Sequence, residues 1–238
     1  MASNSRLSFQ DFAAQTPSAG FSDWLAANAG PSWAAATDHP FTKAIGDDTM
    51  PTAAYVRYLI EDYTFVIDLC STLGYLVAKA PSMQSKAKLS AFLALVTSEE
   101  NDYFERSFAA LGVPKETYQT AAQGPVTRQF SDLLLQSAGK GTYADGLACL
   151  LCAEWVYLVW GLREAQKPRP THFYLAEWID LHAVPGFQDF VGWLRTEMDN
   201  TGPDLDPAAQ DRLADLFENM CRLEVAFFDA AWAAQDGK

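Results

Sequence analysis

Apolar residues recur at three- and four-residue spacing along almost the whole chain. No alternating apolar–polar run flanks an Asn-Gly or Asp-Gly turn, so the pattern offers helices to pack and no hairpin from which to build a sheet. Residues 1–20 read as an N-terminal tail or one short helix. A helix is expected over 22–37, kinked or broken at Gly30-Pro31, and a short helical turn runs from Asp38-His39-Pro40 to about Gly46. Thr49-Met50-Pro51 opens a long helix to about Lys79. Pro81-Ser82 opens another that ends at Leu111-Gly112, where glycine suits the residue after a helix. After Gly124-Pro125 come helices over 126–138 and, with Thr142 as N-cap, 143–165. Helices over 172–182, over 187–199 and from Asp206-Pro207 to about Ala234 complete the chain. The connections are short and nothing repeats, so residues 21–236 are expected to form a single all-α domain, a bundle of eight or nine helices.

Composition narrows the partners. A chain of 238 residues, 49% hydrophobic and 20% charged, is not disordered and can bury its own core without metal or disulfide staples. With 17 basic against 30 acidic residues the net charge is −13, and no basic run occurs, which argues against nucleic acid and against anionic membrane surfaces. The start has no basic segment leading into an apolar one, so it does not read as a secretory signal. The most apolar window, Leu147 to Leu162, is short for a membrane span and contains Glu154. Cys70, Cys149, Cys152 and Cys221 all lie in apolar helical contexts, as reduced core thiols do, and the expected compartment is the cytoplasm.

Acids on core-facing stripes are the informative feature. Residues three, four and seven positions apart share a helix face. For Asp62 these neighbours are Tyr55, Tyr58, Leu59, Phe65, Val66 and Leu69. For Glu154 they are Leu147, Leu150, Leu151, Tyr157, Leu158 and Gly161, and for Glu224 they are Phe217, Met220, Cys221, Phe227, Phe228 and Ala231. None of the eighteen is charged. Glu61 meets Arg57, Thr64 and Asp68, as an exposed acid should, and Glu100 is intermediate, facing Val96, Tyr103 and Phe104 but also Thr97 and Ser107.

A buried carboxylate is expensive unless it is paired, protonated or bound to a ligand. Three on separate helices therefore predict an interior polar site, the plainer alternative being that each bonds a buried Tyr, Trp or helix end. Phe65, Tyr157 and Phe227 each lie one turn from one of these acids. Aromatic walls with carboxylates suit a flat, nitrogen-rich heterocycle, although an aromatic stripe is also what a plain core presents. The chain has no HExxH, Gly-rich phosphate loop or GxSxG, and His39, His172 and His182 lack the spacing of a helical metal site. No metal or other cofactor is implied. His39 before Pro40 reads as a helix-start residue, and Cys149-x-x-Cys152 as core packing.

Trp33, His39-Pro40-Phe41 and Ile45-Gly46-Asp47-Asp48-Thr49-Met50-Pro51 precede Tyr58-Leu59-Ile60-Glu61-Asp62-Tyr63-Thr64-Phe65. Together they resemble the signature of the TenA (thiaminase-II) family: "HPF", a "dGtLp" turn and "QDY". Cys152-Ala153-Glu154-Trp155-Val156-Tyr157 with Gly161, and Leu223-Glu224-Val225-Ala226-Phe227-Phe228, are similar to the family's other two pocket helices. The ordered set spans about residues 21–234. The resemblance implies a haem-oxygenase-like fold without haem, hydrolysis of 4-amino-2-methylpyrimidine compounds in thiamin salvage, and a homodimer or homotetramer. It maps the ring-holding acid to Asp62, pocket aromatics to Phe65, Tyr157 and Phe227, and the proton-moving C-terminal acid to Glu224. Phe130 and His182 fall where many relatives have pocket tyrosines. The nucleophilic Cys of the best-known branch falls on Ala153, and Glu154 resembles the Cys-lacking branch, suited to aminomethyl- or formylaminomethyl-pyrimidine.

The expected chemistry is hydrolysis at the exocyclic methylene, with Glu154 and Glu224 dividing the base and acid roles. Cys152 is the rival nucleophile, about 100° around the helix from Ala153. The rival functions are a non-catalytic pyrimidine-binding or regulatory protein of the same fold and, less favoured by the histidine positions, a haem or di-iron oxidase.

Overall fold

The computed structural model describes residues 6–233. These hold thirteen α-helical segments, nine of them nine residues or longer, and among them there is no strand. Helix α1 (Phe9–Gln15) is N-capped by Ser8, whose hydroxyl accepts from the Asp11 amide at 3.1 Å. Its Phe9 packs edge-on against Phe21 and Trp24, so the segment before residue 21 is a docked helix where a tail was the alternative. The first five residues of that expected tail, like Ala234 at the other end, lie outside the described residues.

The expected helix over 22–37 is two, α2 (Phe21–Ala29) and α3 (Pro31–Thr37). Gly30 separates them at φ +46°, a conformation that favours glycine, and Pro31 then fixes the first turn of α3. His39 starts α4 (Pro40–Gly46) as the sequence suggested, its Nδ1 accepting from the Phe41 amide at 3.1 Å. Asp48, where the resembling signature has its glycine, takes φ +55°. Its carboxylate accepts from the Thr171 amide at 3.0 Å and from the Thr171 hydroxyl at 2.5 Å, which offsets the unfavourable backbone conformation.

Long helix α5 (Thr52–Lys79) is followed by α6 (Met83–Leu95) and α7 (Asn101–Ala110), between which the chain does not break. Residues Val96–Glu100 form a π-turn, so the single regular helix expected from Pro81-Ser82 to Leu111 carries a local widening. Thr97 and Ser98 account for it locally. Their hydroxyls donate back to the Leu93 and Ala94 carbonyls at 2.8 and 2.6 Å, satisfying acceptors that the widened ladder leaves short. The short α8 (Lys115–Gln119) was not anticipated, and α9 (Pro125–Gly139) follows it. Glu61 is half-buried, not an exposed acid, and accepts from the Gly124 amide at 3.0 Å at the start of α9.

The remaining helices are α10 (Tyr143–Glu164), α11 (Phe173–Leu181), α12 (Pro185–Thr201) and α13 (Pro207–Ala233). Helix α5 packs on α9, and α10 lies among α9, α12 and α13. Every residue of α10 from Ala144 to Glu154 is buried. The helix is long and apolar enough to cross a membrane, but 72% of its apolar window is inside this core. Two glycines let its neighbours approach. A Cβ at Gly146 would stand 2.8 Å from the Ala138 Cα of α9, and one at Gly161 only 2.7 Å from the His182 carbonyl oxygen.

Candidate active site

Five carboxyl side chains are buried: Asp62, Asp145, Glu154, Glu164 and Glu224. They divide cleanly. Asp145 is paired with Arg212 at 2.9 Å, and Glu164 with Arg163 at 2.6 Å and Lys167 at 2.7 Å. Asp62, Glu154 and Glu224 make no ion pair with any described residue. One oxygen of Asp62 and both of Glu224 have no hydrogen-bond partner. Paired acids hold a fold together, whereas unpaired buried acids need a proton or a ligand.

Asp62 and Glu154 line one cavity of about 230 Å³. Helix α5 contributes Asp62 and Phe65, α10 contributes Ala153, Glu154 and Tyr157, and the end of α11 contributes Trp178 and His182. Phe187 and Phe92 complete an apolar side, and Glu99 and Glu100 enter from the π-turn. The lining thus has four carboxyl groups and neither lysine nor arginine. Such a wall repels phosphates and attracts a ligand that donates N–H bonds or carries positive charge. The volume of about 230 Å³ suits a single ring rather than a drug-sized molecule, whose sites run from about 300 to 1,000 Å³. No cluster of three or more His, Cys, Asp or Glu side chains among the described residues could hold a metal ion.

Burial governs the electrostatics. It raises the pKa of Asp62 and Glu154 well above the carboxylate range, and the nearby Glu100 charge adds to both. Glu224 is raised by burial and then by Asp62. Burial alone brings Glu100 up to about 7. His182 moves the other way, down to about 4 by burial. Its Nδ1 lies 2.8 Å from the Trp178 carbonyl oxygen, which can only accept, so Nδ1 carries the proton and Nε2 is the free acceptor. Tyr157 is fixed through its hydroxyl, 2.9 Å from that of Tyr58, which in turn accepts from the Trp178 indole at 3.0 Å.

Of the residues expected at the site, Asp62, Phe65, Glu154, Tyr157 and His182 meet in this cavity. Phe130 stacks on Phe65 with ring centroids 4.5 Å apart and backs it from α9. Phe227 stands 6.4 Å from Phe65 and faces a second cavity of about 270 Å³ with Arg57, Glu61 and Thr127. Glu224 is on neither lining. The Cys152 thiol points at α13, 3.4 Å from the Cys221 sulfur, while its neighbour Ala153 faces the cavity. All four cysteines are free, and burial raises the Cys152 thiol well above its ordinary range. The sequence reading missed Trp178, Phe187, Phe92 and Glu99. For Trp178 a signal existed, since it lies four residues before His182 on one apolar helix face.

Known proteins resemble this chain over most of its length. The curated aminopyrimidine aminohydrolase of Halalkalibacterium halodurans is 26% identical over 213 residues, covering 89% of this chain and 95% of that protein. The solved structure of the TenA homologue protein from P. horikoshii superposes with a TM-score of 0.81 at 23% identity, covering 90% of this chain and 99% of that one. A Shewanella denitrificans domain described as having a haem-oxygenase-like fold matches with a TM-score of 0.60 at 16% identity, over 89% of this chain and 93% of that one. The fold is thus haem-oxygenase-like and all-α, as the sequence implied. The sequence profile of the TENA/THI-4/PQQC family matches residues 26–234, nearly the whole helical domain, and the chain belongs to that family.

Proposed function

We propose that the protein hydrolyses the exocyclic C–N bond of 4-amino-5-aminomethyl-2-methylpyrimidine or its N-formyl derivative, releasing the hydroxymethylpyrimidine in thiamin salvage. The observation that carries this reading is a ring-sized cavity with four carboxyl groups, no cation, and two buried acids without counter-ions. The aminohydrolase relatives support the same chemistry.

Asp62 accepts hydrogen bonds from the amidine-like edge of the ring, and Phe65, backed by Phe130, stacks on its face. Glu154, as carboxylate, takes a proton from water as the water oxygen bonds to the methylene carbon. The C–N electron pair leaves with nitrogen, the departing nitrogen takes from Glu154 the proton that water gave up, and the hydroxyl stays on the methylene carbon. Tyr157 completes the surroundings of the ring from α10, whereas Glu224 and Phe227, which stand off this cavity's lining, take no direct part in the step. We read the exposed Ile67, Tyr75 and Met83 of α5 and α6 as surface that a homodimer or homotetramer covers, and the four free thiols as fitting the cytoplasm.

Chromatography of the aminomethylpyrimidine after incubation with the protein tests the activity, and hydroxymethylpyrimidine plus ammonia is the expected product pair. Tight binding with no product would replace the hydrolase with a pyrimidine-binding protein. Cys152→Ala should leave kcat/KM unchanged while lowering stability, since the thiol fills core space against Cys221. Loss of turnover in a folded Cys152→Ala variant would restore the thiol as nucleophile.

A further inference from the structure

The cavity contains a carboxyl that ring binding and water activation leave unused. Glu100 is half-buried and lines the cavity from the π-turn, facing it from a different helix than either Asp62 or Glu154. Deep in the cavity Asp62 and Glu154 are 3% and 7% exposed, whereas Leu95 and Val184, 46% and 44% exposed, mark its mouth. Glu99, the residue before Glu100, is exposed beside them. Glu100 therefore stands between the ring-binding floor and solvent, where the group expelled from the ring must pass. It shares this one cavity with both Asp62 and Glu154, and its charge acts on both.

We propose that Glu100 forms the leaving-group subsite and makes the enzyme select a primary ammonium over a neutral amide at that position. The assignment rests on the aminopyrimidine reading above. At neutral pH an aminomethyl substituent is an ammonium, and the Glu100 carboxylate accepts its N–H bonds in a cavity with no competing cation. As water bonds to the methylene carbon and gives its proton to Glu154, the C–N electron pair leaves with nitrogen as ammonia. Ammonia then takes that proton from Glu154 and departs past Glu100 as ammonium. An N-formyl substrate has no charge to offer and gains nothing from this carboxylate. The π-turn is the structural means, since it displaces the chain locally and brings Glu99 and Glu100 together to the cavity wall.

The test compares Glu100→Gln and Glu100→Asp with wild type on the aminomethyl- and formylaminomethyl-pyrimidines. Glu100→Gln should lower kcat/KM for the aminomethyl substrate about ten- to hundredfold, the loss of one charge-assisted hydrogen bond, chiefly through KM. The formyl substrate should show no such loss, since removing the Glu100 charge only eases ionisation of Glu154, and its turnover shows the variant folded. Glu100→Asp should recover part of the amine preference. Equal losses on both substrates, or none on either, would overturn the assignment. If wild type turns over neither, the hydrolase reading fails, and calorimetric titration with the aminomethyl- and hydroxymethyl-pyrimidines decides the subsite separately. An amine preference that Glu100→Gln abolishes would uphold it, whereas a preference that persists, or absence of binding by both, would overturn it.

Discussion

Glu154→Gln lowers kcat/KM for aminopyrimidine hydrolysis by about 10²–10⁴-fold, the usual contribution of a general base, and leaves the protein at least as stable as wild type. The two halves of this result come from one fact. Glu154 is buried on α10 with no counter-ion, so in the empty enzyme its charge is a liability that an isosteric amide removes. The same amide cannot take a proton from water. Kinetics and thermal melts on one preparation check both halves. Retained turnover would remove Glu154 from the chemistry, and a lowered melting temperature would mark it as a structural acid. The contrast is with Asp145, equally buried but bonded to Arg212, where neutralisation breaks an ion pair and destabilises.

Stability against unfolding should fall as pH rises from about 5 to 8. Asp62, Glu154, Glu224 and Glu100 all have folded pKa values raised by burial. Above the ordinary carboxylate range the native state then holds more protons than the unfolded chain, so their contribution is full at low pH and is lost as pH climbs through the folded values. For Glu100 the window runs from 4.5 to about 7. The other three continue the decline, each contributing up to about 1.4 kcal/mol per pH unit. His182 opposes them only between about 4 and 6.5, because its lowered pKa makes the neutral native ring favourable as pH rises, and beyond 6.5 that offset is complete. Denaturant unfolding at pH 5, 6.5 and 8 checks the sign, and higher stability at pH 8 than at 6.5 would contradict the burial of these acids. Activity, which needs Glu154 ionised, should rise with pH over the range in which stability falls.

Much of this site was legible as a conflict between local patterns. Asp62, Glu154 and Glu224 each interrupt an otherwise uncharged helical face, and all three are buried. What a single helix face cannot say is which neighbour it turns toward. Glu224 sits on as apolar a stripe as Glu154, yet only Glu154 reaches the cavity, because that depends on how α13 is rotated against α10. Phe227 was placed beside the ring by the same reasoning and faces the other cavity. Glu100 is ambiguous in the sequence because three- and four-residue spacing holds only on a regular helix, and the π-turn breaks that spacing at this residue. Tertiary pieces such as Trp178 and Phe187 enter from α11 and α12, whose order around the bundle no periodicity encodes.

The contact between Asp48 and Thr171 acts as a brace set outside the cavity. It joins the turn that leads into α5, the helix of Asp62 and Phe65, to the segment that leads into α11, which ends at His182. The two residues are 123 positions apart in the chain, so two walls of the cavity share an exterior fastening. An aspartate that accepts a left-handed backbone to make that link holds the spacing of the walls from the surface. The gap into which a flat ring slides is therefore set partly by two residues that never meet the ring.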